Sequence, residues 1–242
     1  MCLIVLAHRV SPRFPLVIAA NRDEEYERPS LPLAFWEGEP AIAGGRDALH
    51  GGTWLAVSRS GRFAAVTNLR GSARTTQPRS RGSLVADFVR AGVTPLEYLR
   101  EVALRVEEYG GFHLLAGVAS GTLGLLSGTV AEMQGGIHGL SNAPAGVRLP
   151  KVDTAVDGLR GALESTSAAV MVEHLFRLLR TEQAHGDPSR DIFIRGDLYG
   201  TRASTVIVVE DDQVTFLEQG FARGGAPLGP RTEVRFTIDP AR

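Results

Sequence analysis

The sequence predicts an α+β fold, a four-layer αββα sandwich in which two mainly antiparallel sheets lie between helix layers, built as a single domain over residues 1–242. Three observations carry this. Apolar runs such as Leu3–Ala7 and Leu16–Ala20 are short, continuous and bounded by turn residues, the pattern of strands buried on both faces. Two pairs of helical stretches, near 83–106 and 152–180, each stand between strand-like segments. No repeat or linker interrupts the chain. A sheet covered on both faces needs a layer on each side, and the order strands, two helices, strands, two helices, strands gives each sheet its own helix pair.

The elements follow in order. Leu3–Ala7 is a strand, and His8–Pro15, with two prolines, is the turn into a second strand at Leu16–Ala20. Asn21-Arg22-Asp23-Glu24-Glu25 directly follows it and reads as a site at the strand's end rather than a solvated loop. Residues 29–50 read as loop, because Pro29, Pro32, Pro40 and Gly44-Gly45 break regular structure. Gly51-Gly52 turns into a strand ending at Ser58, and Ser60-Gly61 returns it as Arg62–Asn68. A basic loop follows, carrying Arg70, Arg74, Arg79 and Arg81. Ser83–Val89 is a helix with Leu84, Val85 and Phe88 on one face. Thr94, Pro95 and Glu97 form a capping-box arrangement, opening a helix through Leu96, Leu99, Val102, Ala103 and Val106. Phe112–Val118 and Thr122–Leu126 form a hairpin, and Gly136–Asn142 is a short strand. Val152–Leu163 and Ala168–Arg180 are the second helix pair. Residues 185–200 are loop; Ser204–Glu210, Val214–Glu218 and Glu233–Ile238 close the chain as strands.

Composition excludes several function classes. Hydrophobic content is 43%, charged content 22% and net charge −1, so no field drives binding to nucleic acid or acidic membrane. No run approaches the ~18 apolar residues of a membrane span, no signal peptide is apparent, and a single cysteine suits a reducing compartment. A cytoplasmic protein is expected. The six histidines, His8, His50, His113, His138, His174 and His185, show no metal-ligand spacing, and no nucleotide motif is present. Trp54 reads as core.

The candidate chemistry centres on Cys2. It is the only cysteine and stands directly behind the initiator Met, at the mouth of a buried strand. If Met1 is removed, one residue carries a thiol of ordinary pKa about 8.5 and an α-amine of about 7.7–8.0. A terminal amine so placed can take the thiol proton, which makes the residue a nucleophile with its own base. Other polar side chains fall at strand ends: Arg22, Asp23, Asn68, Asn142 and Arg202. Asn142 and Asn68 would serve as oxyanion donors, Asp23 would hold the Cys2 ammonium, and Arg22 or Arg202 would favour the thiolate.

Met1-Cys2 at the start, Ala20-Asn21-Arg22-Asp23-Glu24, Gly51-Gly52-Thr53-Trp54-Leu55, Thr67-Asn68, Gly139-Leu140-Ser141-Asn142-Ala143 and Tyr199-Gly200-Thr201-Arg202 together resemble the NRDE-motif family, the transport and Golgi organisation proteins. The resemblance implies the N-terminal-nucleophile hydrolase fold and a likeness to the bile-salt hydrolase and penicillin V acylase branch. That branch has a cysteine nucleophile, an Arg and an Asp on the second strand, two Asn and a late Arg. Asn68, Asn142 and Arg202 match the last three. Arg22 and Asp23 are adjacent here, whereas the acylases separate theirs by two residues. Adjacent strand residues point to opposite faces, so a bulge or turn would be needed for both to face Cys2.

Two functions are therefore expected. One is hydrolysis of a linear C–N amide bond through a Cys2 acyl-enzyme, with no cofactor. The other is a non-catalytic carrier of haem or of an acyl-lipid or acyl-CoA ligand, as the family's links to haem and lipid handling imply; His8, His113, His138 and Cys2 would be its haem ligands.

Overall fold

The computed structural model describes residues 2–69, 79–183 and 187–239. Met1, Arg70, Arg74 and His185 lie outside the described residues.

In chain order the elements are β1 (Leu3–His8), β2 (Leu16–Glu25), β3 (Ser30–Trp36), β4 (Glu39–Asp47), β5 (Leu55–Ser58), β6 (Arg62–Asn68), α1 (Arg81–Arg90), α2 (Pro95–Ala103), β7 (Phe112–Val118), β8 (Leu123–Ser127), β9 (Thr129–Met133), β10 (Gly136–Ser141), α3 (Pro150–Ala162), α4 (Ala168–Leu179), β11 (Tyr199–Glu210), β12 (Gln213–Gly220) and β13 (Thr232–Thr237). The chain forms two compact units. One combines the chain up to Arg28 with Gly135–Arg235; the other combines Pro29–Gln134 with the chain from Phe236 onward.

The first unit holds a six-stranded sheet in the order β10-β1-β2-β11-β12-β13. β1 lies between β10 and β2, antiparallel to both, with Leu3 opposite Ser141 on one side and Asn21 on the other. Side chains alternate across the sheet. Leu3, Val5, Ala7, Val17, Ala19, Val206 and Val208 pack on Val152, Ala155, Val156 and Leu159 of α3 and Met171, Val172, Leu175 and Leu179 of α4. Each fully buried aliphatic side chain there contributes about 1.5–3 kcal/mol. The alternate set, Ile4, Leu6, Leu16, Ile18 and Ile207, is buried too. Both faces of this sheet are therefore covered, as the continuous apolar runs of β1 and β2 imply. α3 starts close against β10: a Cβ on Gly139 would stand 2.5 Å from Val152 Cγ1, so only glycine lets the helix lie there.

The second unit holds a seven-stranded sheet in the order β3-β4-β5-β6-β7-β8-β9. Leu84, Val85, Phe88 and Val89 of α1 and Tyr98, Leu99 and Val102 of α2 bury against Ala56, Ala64, Val66, Leu114, Ala116 and Leu126. The capping box at Thr94 is formed: its hydroxyl accepts from the Glu97 backbone N–H, and Glu97 accepts from the Thr94 backbone. α2 ends at Ala103, and Val106 begins a short 3₁₀ turn instead.

Two expectations are corrected. Residues 29–50 are not a loop; they hold β3 and β4. β3 is an edge strand with a register shift between Leu31 and Ala34, so Pro32 falls where a missing N–H costs no ladder bond. Gly44 is inside β4 because the strand passes so close to β5 that a Cβ would stand 2.7 Å from the Leu55 carbonyl oxygen. The glycines and prolines there serve an edge and a close approach. Second, Asn21–Glu25 does not follow the second strand; it is its second half, and Asn21, Arg22 and Asp23 are all buried. β9, a five-residue strand of mixed apolar and polar side chains with none fully buried, gives no clear strand signal.

Candidate active site

β1 and its two neighbours determine which side chains meet. One residue before the Leu3 pairs, Cys2 stands across from Arg22 on β2 and from Asn142 at the end of β10. Directly opposed residues of antiparallel strands share a face. Cys2, Arg22 and Asn142 thus form one row across the sheet's end, on the face away from α3 and α4. Arg202 joins them by a different device. β11 pairs Thr201 with Asp23 and Ala203 with Arg22, and the register shift between them leaves Arg202 as the extra residue of a β-bulge. The bulge turns Arg202 to the Arg22 face, where its guanidinium lies 6.0 Å from the Tyr26 ring centroid and within electrostatic reach of Arg22.

Arg22 and Asp23 separate as strand parity requires, since β2 is regular against β1. The Asp23 carboxylate points to the helix side. Its Oδ1 accepts a 2.7 Å hydrogen bond from Thr201 Oγ1, and it feels the charge of Lys151 on α3. The peptide carbonyl of Asp23 still faces Cys2. It accepts from Cys2 Sγ at 3.9 Å and from the Tyr199 hydroxyl at 2.8 Å. Asp23 therefore touches the thiol through its backbone while its charge lies beneath the sheet. Asn68 belongs to the other unit, where it is the exposed last residue of β6, opposite Phe112.

The electrostatics follow from burial. Cys2 is half-buried, and desolvation pushes its thiol up; the Asp23 charge adds to the rise, while the N-terminal charge, the hydrogen bond to the Asp23 carbonyl and, last, Arg22 oppose it. Burial also pushes Asp23 up, against the N-terminal charge, then Lys151 and the Thr201 hydrogen bond. Tyr199 is pushed up by burial and then by Cys2 and Asp23. Arg202 is lowered by burial and by Arg22. Asn142, 7% exposed, has its Oδ1 buried without a hydrogen-bond partner among the described residues, as does Arg202 Nε. Buried polar atoms are normally satisfied, and both residues lie on the Cys2 face of the sheet.

Several residues of the site were not singled out from sequence. Thr201 and Tyr199 were read only as part of a matching block, and Lys151 not at all. One signal pointed to Lys151: it is the only lysine of the chain, among 26 lysines and arginines in total. Asn21 is structural. Its amide donates to the Leu179 and Ile192 carbonyls at 2.8 and 2.9 Å and accepts from Ser204 Oγ at 2.6 Å. His8 on β1 and His113 on β7 are buried within their strands, and His138 on β10 is half-buried. Of the basic loop, Arg79 is paired with Glu108, and Arg81 donates to the Gly111 carbonyl. Trp54 is half-buried; the tryptophan in the core is Trp36. No helix among the described residues is long and apolar enough to cross a membrane.

The sequence model of the Transport and Golgi organisation 2 family matches residues 1–223. The chain belongs to this family. A human relative named Transport and Golgi organization protein 2 homolog is 32% identical, with 90% of this chain and 92% of that protein aligned. This Transport and Golgi organisation 2 family member is also similar in fold to two solved hydrolases. One is a Caenorhabditis elegans N-acylethanolamine-hydrolyzing acid amidase orthologue, at 15% identity and TM-score 0.52, covering 86% of this chain and 92% of that one. The other is a variant of conjugated bile acid hydrolase from Clostridium perfringens, at 8% identity and TM-score 0.54, covering 99% and 93%. Both are N-terminal-nucleophile hydrolases, and the fold of this chain is of that type.

Proposed function

We propose that this protein is a cysteine amidohydrolase that cleaves a linear C–N amide bond through an acyl-enzyme on Cys2, after removal of Met1. The observation that carries the reading is the row of Cys2, Arg22 and Asn142 across the end of one sheet, with Arg202 brought to the same face by the β11 bulge. Polar side chains so grouped at the open end of a buried sheet require a reason, and acyl transfer supplies one.

In the forward step the α-amine of residue 2 takes the thiol proton, and Sγ adds to the amide carbonyl. The Asn142 amide donates to the oxyanion, an interaction worth a few kcal/mol in the transition state. Collapse breaks the C–N bond, and the ammonium returns its proton to the leaving amine. Water then adds to the thioester, the amine taking its proton, and the carboxylic acid leaves as Sγ is released. Arg22 and Arg202 stabilise the thiolate and place a positive field over the acyl group. The Asp23 carbonyl, holding Sγ and the Tyr199 hydroxyl together, fixes where the sulfur stands.

The test uses Met1-free protein, verified by intact mass, and a panel of N-acyl amides of different chain length. A covalent adduct of acyl mass on Cys2 and its loss in Cys2→Ala are the expected results. Turnover retained in Cys2→Ala overturns the reading. Saturable haem binding that is lost on changing His138, with no acyl adduct from any amide, would replace it with the carrier function.

A further inference from the structure

A chain that uses arginine at every other cationic position holds a single lysine, and that residue, Lys151, is 0% exposed. Solubility does not explain it, since no solvent reaches it. Helix stability does not either: Lys151 follows Pro150 in the first turn of α3, the end of a helix where a cation is disfavoured. A buried ammonium needs an opposing charge nearby. The position of Lys151 is fixed from both sides. Its backbone N–H donates to the Ser189 carbonyl at 3.1 Å, and its neighbour Val152 rests where Gly139 of β10 has no Cβ. This lays the start of α3 under the end of the sheet that carries Cys2 and Asn142. The Asp23 carboxylate, 4% exposed, points to the same side.

We propose that Lys151 is a positioning residue for Cys2: its ammonium holds the buried Asp23 carboxylate charged, so that Asp23 can anchor the α-ammonium of residue 2 that the reaction forms. The purpose rests on the amidohydrolase reading, while the pairing can be tested without it. The α-amine of residue 2 leaves its Cα along the strand toward the position opposite Asp23, one residue beyond the Cys2–Arg22 pair. Asp23 is therefore the acid nearest to where that charge appears. Around it stand Thr201, whose hydroxyl donates to Oδ1, Tyr199, bonded to its carbonyl, the Cys2 thiol, and Lys151 from α3. Near Lys151 the loop 187–191 adds a second buried acid, Asp191, whose Oδ1 accepts from the Gln183 N–H at 2.6 Å. Lysine suits the position where arginine does not. An ammonium is a compact point charge, whereas a guanidinium brings five donors in a planar fork, more than Asp23 and Asp191, each already accepting from another donor, would match.

Single occurrences make the test direct. With isotope-labelled lysine the folded protein gives one side-chain signal, and with labelled cysteine one α-amine signal once Met1 is removed. In the parent protein the Lys151 signal is expected to lose its proton at higher pH than in Asp23→Asn, by at least about one pH unit. Asp191→Asn is expected to leave it in place. In Lys151→Met the α-amine of residue 2 is expected to lose its proton at lower pH than in the parent. Equal Lys151 titration in parent and Asp23→Asn, or a response to Asp191→Asn alone, overturns the proposal. So does an unchanged α-amine in a folded Lys151→Met. Should Lys151→Met not fold, the Lys151 signal in Asp23→Asn still decides. Failure of the hydrolase reading appears elsewhere, as turnover in Cys2→Ala, and leaves these titrations untouched.

Discussion

Thr201 Oγ1 donates to Asp23 Oδ1 at 2.7 Å while accepting the Ile194 backbone N–H at 2.9 Å. A hydroxyl has one proton, and the N–H occupies its acceptor side, so the proton is committed to the carboxylate. Thr201→Val removes both partners of buried groups at once. The expected cost is about 1–3 kcal/mol, a fall in Tm of roughly 2–12 °C at this chain length. Thr201→Ser keeps the hydroxyl and should recover most of it. Thermal unfolding of the two variants followed by circular dichroism checks the difference, and equal Tm values would show that the hydroxyl is not the element that matters.

Asn21 predicts a loss of stability rather than of chemistry. Its amide joins β2 to the C-terminal end of α4 through Leu179 O and to the following loop through Ile192 O. Asn21→Asp would set a carboxylate against two carbonyls and should destabilise by about 3 kcal/mol or more. Asn21→Ala leaves the two carbonyls and the Ser204 hydroxyl unpaired and should cost about 2–3 kcal/mol. Both lower the urea midpoint. The pH dependence of Cys2 alkylation should keep the parent's shape in whatever fraction remains folded, because neither change touches the Cys2 face.

The Cys2 thiol gives a prediction with a definite sign. Burial raises its pKa, so while Met1 is retained the thiol stays protonated at neutral pH and alkylates slowly. Its rate with iodoacetamide should climb about tenfold per pH unit from pH 7 upward and should not level at the ordinary value of about 8.5. Arg22→Gln removes a charge that opposes the rise and should slow labelling further at any given pH below the plateau. A thiol raised on folding stabilises the native state fully below its unfolded pKa, and this contribution is lost as pH rises through the folded value. Cys2→Ser should therefore show a smaller loss of stability than the parent as pH rises above about 8.5. Removal of Met1 supplies the α-amine base and should raise the neutral rate. A rate that plateaus near pH 8.5 with Met1 in place would contradict this account.

How much of this could be read in the sequence depends on the range of each cause. The runs Leu3–Ala7 and Leu16–Ala20 announce strands because burial on both faces leaves no polar position in them. The Thr94 cap announces a helix because its bonds close within three residues. The parity of Arg22 and Asp23 already said that they face apart. What it could not say is that a bulge on β11, nearly 180 residues away, turns Arg202 rather than Asp23 to the Cys2 face; nothing local to Thr201-Arg202-Ala203 marks it. β3 and β4 were missed because prolines and glycines mean a loop only until an edge position or a tight neighbour such as Leu55 supplies another reason. Lys151 was hidden because its partner is distant in sequence; its trace was compositional, one lysine among many arginines.

The pairing of Lys151 with Asp23 predicts strong non-additivity. Removing one charge of a buried pair leaves the other desolvated and unopposed, at about 3–5 kcal/mol, whereas replacing both by neutral groups of similar shape is often neutral or stabilising. Lys151→Met and Asp23→Asn should therefore each destabilise strongly, and Lys151→Met/Asp23→Asn should recover most of the loss. The pH dependence has a fixed sense. Burial raises Asp23 above its usual value, so its contribution to stability is full below about pH 3.9 and is lost as pH rises through the folded pKa. In Lys151→Met the carboxyl loses one of the two charges that oppose this rise, the other being the N-terminal charge, so the loss should extend to higher pH than in the parent. The double variant, with nothing there to titrate, should show a flatter profile from pH 4 to 7. Denaturant unfolding of the four proteins across that range closes the cycle. If the two single costs simply add in the double variant, the two charges do not act on each other, and the anchoring of residue 2 must be sought in another group.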